Sequence, residues 1–335
     1  MPEGDSVYRL ARRLRPALVG RRLVRAELRV PAYATLDLAG ATITEIDTHG
    51  KHQLTRIVRG DDPPHPPMGS TRWRSQNPVR GDDPPHEALT LHTHLKMTGS
   101  WTVVGPGKRL PGRLMDSVRV LLELDDGATA YGLDLPVVEV VPTAQEADVV
   151  GHLGPDPLRA DWDAAEAVRR LGTQPERPVA AALLDQRNLA GLGNLWANEL
   201  CFLRGTSPWT PVGELDVVAL VALARRCLRH SAFVANAYQV TTGDSRDGRQ
   251  HWVAGRAGLA CLRCGTPVRV VDEVPGDPAR RRTWWCPHCQ PGPGPEASRT
   301  GPAPAPRASD RPLAAGRGRS GVSPRSGTAR FRPGR

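Results

Sequence analysis

The sequence predicts an α+β protein: an N-terminal helix and a β-sandwich, then a helical region and a small four-cysteine module. Residues 21–141 fall into short apolar or alternating runs separated by turn residues such as Asp125-Asp126-Gly127, the pattern of many short strands packed as a sandwich. From about Pro142 the apolar residues recur at helical spacing instead. Near the end stand Cys261-Leu-Arg-Cys264 and Cys286-Pro-His-Cys289, two knuckles that a metal can hold without a hydrophobic core of their own. A length of 335 residues suits two domains. The pattern divides the chain into 1–142, 143–255, 256–290 and a tail, 291–335.

Taken in order, a first helix is expected from about Ser6 to Val19, capped by Asp5 and stopped by Gly20. Val7, Leu10, Ala11, Leu14 and Leu18 form its apolar face, with arginines on the other. Strands are expected at Leu23–Val30, Thr42–Asp47, Gln53–Val58, Leu89–Leu95, Val118–Leu124, Thr129–Leu133 and Val137–Val141. Between the third and fourth of these, Arg59-Gly-Asp-Asp-Pro-Pro-His65 recurs as Arg80-Gly-Asp-Asp-Pro-Pro-His86, a period of 21 residues. Asp-Asp-Pro-Pro suits neither a strand nor a helix interior, and loop entropy grows slowly with length. Residues 59–79 therefore read as a tandem insertion in a surface hairpin loop. Further on, Asp161-Trp-Asp163 can cap Ala164–Leu171, and Pro178 suits the start of Val179–Leu184. Asn194–Leu203 follows a glycine turn, and Gly213–Ser231 is a longer amphipathic helix. Residues 233–260 show no regular period.

The formal charge is +10, but its placement matters more. From Pro291 onward nine arginines face Glu296 and Asp310, a net +7, so residues 1–290 carry only +3. Any basic surface on the folded part must come from local clustering. The Pro-, Gly-, Ser- and Ala-rich tail reads as a disordered extension that attracts polyanions. Only Lys51, Lys96 and Lys108 are lysines among 45 basic residues, and an ammonium is a different chemical tool from a guanidinium. No apolar run approaches the ~18–20 residues that cross a bilayer, which argues against a membrane protein. The start lacks the order of a secretory signal, so a cytoplasmic protein is expected.

Four motifs carry chemistry. The strongest is the cysteine set: Cys261, Cys264, Cys286 and Cys289 form two C-x2-C pairs separated by 21 residues. Four thiolates in this arrangement make a closed tetrahedral site, so one structural Zn2+ per chain is expected. Disulfides are disfavoured in a reducing compartment. Arg280-Arg281-Arg282 precedes the second knuckle, where a hairpin can aim an arginine at a phosphate. Cys201 and Cys227 lie singly on apolar helical stretches and read as buried and inert. The second motif is Gly191-Leu-Gly193, a tight turn opening a helix at Asn194, where free backbone N–H groups would favour a phosphate. The third is Thr48-His-Gly-Lys51-His-Gln, which sets one of the rare lysines just before a strand. The fourth is the start, Met1-Pro2-Glu3-Gly4-Asp5. If Met1 is removed, Pro2 becomes a secondary amine titrating near about 8, able to attack a sugar carbon and form an imine. Glu3 lies beside it as an acid.

With these landmarks in this order, the chain from Met1 to about Gln290, outside the 59–79 insertion, resembles the bacterial formamidopyrimidine-DNA glycosylase and endonuclease VIII family of base-excision repair enzymes. The resemblance implies a helix–two-turn–helix DNA-binding domain behind the sandwich and a bifunctional glycosylase and lyase, acting as a monomer on damaged DNA in the bacterial nucleoid. It implies that Pro2 attacks C1′ of a flipped-out nucleotide, that Glu3 moves protons, and that Lys51 contacts the phosphate near the lesion. Asn194 and Arg281 would grip flanking phosphates, Arg281 because it stands five residues before Cys286. His94-Leu95-Lys96-Met97-Thr98-Gly99 resembles the family strand whose methionine fills the hole left by the flipped base, so Met97 is expected to contact DNA.

Two departures bear on the substrate. Position 6 is Ser6, where many relatives carry glutamate. The start Pro-Glu-Gly and the segment Gly132-Leu-Asp-Leu-Pro136 resemble the endonuclease VIII branch. That branch favours oxidised pyrimidines, whereas the formamidopyrimidine branch starts Pro-Glu-Leu and carries an Arg-Arg-Phe-Gly loop. The rival readings are a glycosylase for 8-oxoguanine and formamidopyrimidines, and a non-catalytic zinc-finger protein that binds DNA.

Overall fold

The structure is a computed structural model that describes residues 2–59, 88–273 and 281–295. The duplicated segment after Arg59, Arg280 and the tail beyond residue 295 lie outside the described residues.

Two four-stranded antiparallel sheets make the sandwich. One has the order β1 (Leu23–Leu28), β6 (Val118–Leu124), β7 (Thr129–Leu133), β5 (Ser100–Val104). The other runs β2 (Thr42–His49), β3 (His52–Val58), β4 (Ala88–His94), β8 (Val137–Pro142). Alternate residues of both sheets, among them Leu28, Val120 and Leu122 facing Ile43, Ile57 and Leu91, fill one core. The strands expected from the sequence are present to within two residues at each end. The exception is β5, which the sequence reading passed over. Ser-Trp-Thr-Val-Val is a short run between two glycine turns, and only Trp101 in it is fully buried. Val58 pairs with Ala88, so the strands on either side of the duplicated segment are the two arms of one hairpin.

Helix α1 (Gly4–Leu18) lays Val7, Ala11, Leu14 and Leu18 into the same core. Asp5 does not cap it, contrary to expectation. The cap is Glu3, whose backbone is extended (φ −119°, ψ −176°), and Ser6 Oγ accepts from the Glu3 N–H at 3.1 Å. Asp5 lies inside the first turn and is fully buried. Its carboxylate accepts from the Trp196 indole (3.2 Å) and the Ser231 hydroxyl (2.5 Å). A buried carboxylate needs such donors, and those two tie the start of α1 to the helical half.

That half is built from α2 (Glu146–Val150), α3 (Ala164–Leu171), α4 (Val179–Leu184), α5 (Asn194–Leu203) and α6 (Val217–Phe233). Asp163 caps α3 by accepting from Glu166 N at 3.0 Å. Helix α6 starts four residues later than its apolar pattern suggests. Val212–Glu214 form a 3-10 turn first, and Asp216 then caps the helix through Ala219 N. Trp196, Leu200, Leu220, Ala224 and Leu228 make the second core. A third, small cluster of Phe202, Val253, Val268 and Trp284 packs around Cys261 and Cys286, beside the hairpin of β9 (Arg269–Val271) and β10 (Thr283–Trp285). Among the described residues no helix is long and apolar enough to cross a membrane.

Candidate active site

Three distant pieces of chain meet at one point: the start of α1, the β2–β3 hairpin tip and the turn that opens α5. Gly4 N donates to Gly191 O at 2.8 Å. A Cβ on Gly4 would lie 2.7 Å from Gly191 Cα, closer than any side chain tolerates, so the backbones touch only because position 4 is glycine. Gly50 at the hairpin tip donates to Asp156 Oδ2 at 2.7 Å, which fixes the hairpin that carries Lys51. Asp156 carries no signal in the sequence. It sits in an aperiodic Gly-Pro-Asp-Pro segment, and burial raises its carboxyl to about 6.

Glu3 is the centre of this junction. It is buried, and its carboxylate accepts from Gly193 N (2.8 Å), Leu195 N (2.8 Å) and Trp196 N (3.4 Å). The amides at the N-terminus of α5, expected to meet a phosphate, therefore hold a side chain of the protein itself. The positive end of a helix serves a buried carboxylate as well as it serves a phosphate. A Cβ on Gly193 would lie 2.4 Å from Glu3 Cδ, so this glycine too is required by close approach. Burial pushes the Glu3 carboxyl up to about 7, against the opposing pull of Lys51 and the α5 amides. At neutral pH it can both give and take a proton. Pro2, half-buried, immediately precedes it. Lys51 is depressed below the ordinary lysine range, first by burial, with the cations Arg281 and Lys96 adding to it and Glu3 opposing it. Lys51 thus feels the charges of Glu3, Lys96 and Arg281 across the junction.

Of the two described arginines before β10, Arg282 is buried on Asp272 at 2.7 Å, while Arg281 is exposed on the side of Lys51. Asn194 is buried, and its side-chain amide donates to Arg282 O at 2.8 Å. Asn198, one turn on, accepts from Trp284 N at 2.8 Å, so α5 carries the finger hairpin on two asparagines. Met97 is not a core residue of its strand: it is 64% exposed at the tip between β4 and β5. Lys96 there adopts φ 47°, and its N–H donates to His94 Nδ1 at 2.9 Å. Below Lys51, His52 Nδ1 meets His92 Nε2 at 2.8 Å, and His92 Nδ1 meets Glu139 at 2.9 Å. Burial pushes His52 down to about 3 and His94 to about 4, so both rings are neutral at pH 7. The His52 ring stacks on His92 and meets the edge of His94; His52 and His94 stand in the lysine and methionine motifs, whereas His92 carries no sequence signal.

The Sγ atoms of Cys261, Cys264, Cys286 and Cys289 all lie within 4.8 Å of one another. Two of the separations are 4.0 Å (Cys261–Cys289) and 3.5 Å (Cys264–Cys286). A zinc tetrahedron with Zn–S near 2.3 Å has S···S edges of about 3.8 Å, so the donor set fits that ion. Arg263 N and Cys289 N donate to Cys261 Sγ and Cys286 Sγ at 3.5 Å, contacts that favour thiolates. Cys201 is buried as expected, whereas Cys227 is only half-buried, and burial raises both thiols, to about 12 and about 11.

Family models decide the relationship. The formamidopyrimidine-DNA glycosylase N-terminal domain matches residues 1–135, and the H2TH domain of the same glycosylase matches residues 153–230. The chain belongs to the formamidopyrimidine-DNA glycosylase family. Within the family it is 45% identical over 309 residues to a probable endonuclease 8 2 of Streptomyces coelicolor, covering 91% of this chain and 99% of that one. It is 41% identical over 291 residues to the DNA-(apurinic or apyrimidinic site) lyase Nei2 of Mycolicibacterium smegmatis, covering 87% and 99%. Its fold matches that of Lactococcus lactis Fpg, solved in complex with an abasic site containing DNA, at a TM-score of 0.62 and 22% identity over 87% of this chain and 100% of that one. The two family matches meet at the junction of Gly4, Gly50 and Gly191, so the site lies between the N-terminal and H2TH parts of the family fold.

Proposed function

We propose that this chain is a bifunctional DNA glycosylase and AP lyase of base-excision repair, acting as a monomer on oxidised pyrimidines in DNA. The observation that carries this reading is Glu3: a carboxylate beside Pro2, buried on three α5 amides and raised to about 7. With Met1 removed, the Pro2 nitrogen lone pair attacks C1′ of the flipped nucleotide. The C1′–N bond breaks, and the base leaves with its electron pair and takes up a proton. Pro2 sheds its N–H proton, and Glu3 hands a proton to the sugar ring oxygen as the ring opens, leaving C1′ double-bonded to Pro2 as a cationic imine (iminium). Loss of a C2′ proton then expels the 3′ phosphate, and a second elimination expels the 5′ phosphate. Lys51 holds the phosphate near the lesion, Asn194 and Arg281 hold its neighbours, and Met97 fills the vacated stack. One N–H of the Asn194 amide stays on the Arg282 carbonyl, and the second is the donor left for a phosphate. A structural Zn2+ on the four cysteines would fix the finger that presents Arg281. The proposed domain limits are 1–142, 143–255 and 256–290, followed by the tail.

The pyrimidine preference is supported by the endonuclease 8 relatives at 40% identity and above. A panel of duplexes carrying thymine glycol, 5-hydroxycytosine or 8-oxoguanine opposite cytosine tests it under single turnover. The two pyrimidine lesions are expected to be excised at least about tenfold faster, a difference one or two polar contacts supply. Faster excision of 8-oxoguanine would move the chain to the purine-lesion reading. No cleavage of any duplex would favour the non-catalytic one.

A further inference from the structure

Beyond the buried Asp5 of its first turn, helix α1 carries arginines and no carboxylate, and α6 carries arginines and none. Between Ser6 and Leu18, and from Val217 to Phe233, there is no Asp or Glu. Arg9, Arg12 and Arg13 share one face of α1, and Arg226, Arg229 and His230 share one face of α6, by their i, i+3, i+4 spacing. None of these five arginines has a carboxylate within ion-pair distance among the described residues. Arginines elsewhere do, among them Arg56 on Glu146, Arg159 on Asp47 and Arg177 on Asp185. The two faces join at Phe233. Arg12 lies over its ring at 5.4 Å, Arg229 lies over it at 4.8 Å, and Tyr8 packs against it at 5.0 Å. Arg9 and Arg12 also donate to the last carbonyls of α6, Ser231 O at 3.0 Å and Ala232 O at 3.5 Å. These interactions hold Arg9, Arg12 and Arg229 in place without neutralising them, and Arg13 and Arg226 stand exposed beside them. The ridge begins beside the catalytic end of α1: Arg9 lies 5.4 Å from the centre of the Tyr238 ring, and the Tyr238 hydroxyl meets Ser6 Oγ at 2.8 Å.

We infer that the α1–α6 ridge is a second DNA-contacting surface, which binds the phosphate backbone of duplex outside the lesion site. A row of guanidiniums without carboxylate partners suits a phosphate row, which releases counterions when they bind. Charge complementarity selects a polyanion, and continuity with the Ser6 end selects the same DNA that the site holds; in that respect the inference rests on the proposed function.

The test measures affinity for a long undamaged duplex from about 50 to about 200 mM salt, with the full-length, zinc-loaded protein. Two variants are compared with wild type: R12Q/R13Q/R226Q/R229Q, and R13Q/R226Q, whose two side chains make no intramolecular hydrogen bond or ring contact among the described residues. The slope of log K against log salt should become shallower by about 0.9 for each phosphate that is no longer neutralised, so by nearly 2 in the double variant. Single-turnover cleavage of a saturating short abasic duplex should be unchanged. Slopes equal to wild type in both variants would overturn the ridge. Failure of the proposed function reads differently: no protein, wild type included, would cut the abasic duplex, whatever the slopes.

Discussion

In the proposed mechanism Glu3 moves the protons, and its environment makes two predictions with one sign. Its carboxyl titrates near 7 in the folded chain and near 4.5 when unfolded, with burial the dominant cause. As the acid that opens the sugar it must be protonated, so base excision should slow as pH rises through about 7. Glu3→Gln should remove that limb and lower the excision rate by about 10²–10⁴. The folded state also binds this proton more tightly than the unfolded one, so its contribution to stability is complete below about 4.5 and is lost as pH rises to 7. At about 1.4 kcal/mol per pH unit the upper bound is about 3 kcal/mol. Glu3→Gln should therefore unfold at a higher temperature than wild type at pH 8 and not at pH 5, measured by calorimetry. Matched pH profiles for the two proteins would mean that Glu3 is ionised throughout. Most of this was not legible in the sequence. Pro-Glu-Gly marked the residues, but nothing in it showed that α5 would turn its amides onto Glu3, because that contact joins positions about 190 apart. For the same reason Asp5, a reasonable cap by local rules, proved to be an interior anchor for Trp196 and Ser231.

At the scale of elements, α5 is the organising piece. Its N-terminus holds Glu3, Asn194 and Asn198 hold the finger strand β10, and Glu199 accepts from Trp252 N, Val253 N and Ala254 N at 2.8–2.9 Å. The loop after α6 and the finger are thus both referred to one helix. The finger has only a small apolar cluster, so its order should depend on the metal. Chelation should release one zinc per chain and reduce duplex affinity on the order of tenfold or more, with recovery on adding Zn2+. Full DNA affinity in metal-free protein would show that β9 and β10 stand without it. Elements with a clear period, such as α3 and most strands, were readable from the sequence to within a residue or two. Strand β5 and the start of α6 were not: a short edge run between glycine turns has no period to detect, and α6's apolar stripe runs back through a 3-10 turn that only the Asp216 cap separates from it.

Across the whole molecule, the site exists only where two halves meet. The sandwich supplies Lys51 and the Met97 tip, the residues leading into α1 supply Pro2 and Glu3, the helical half supplies the amides that hold Glu3, and the finger supplies Arg281. The order of the motifs made the family readable from the sequence, since each motif belongs to a different element of one fold. Their convergence was not readable, because glycines that permit backbone contact carry no signal of what they touch. The claim that binds these parts together is that Pro2 is the nucleophile. Borohydride reduction of the zinc-loaded protein with an abasic duplex, followed by mass analysis of the digested complex, tests it most directly. The expected product is DNA linked to an N-terminal Pro2 that has lost Met1, and none from Pro2→Gly. An equal yield of trapped complex from Pro2→Gly, or strand cutting by wild type with no trapped species, would contradict it.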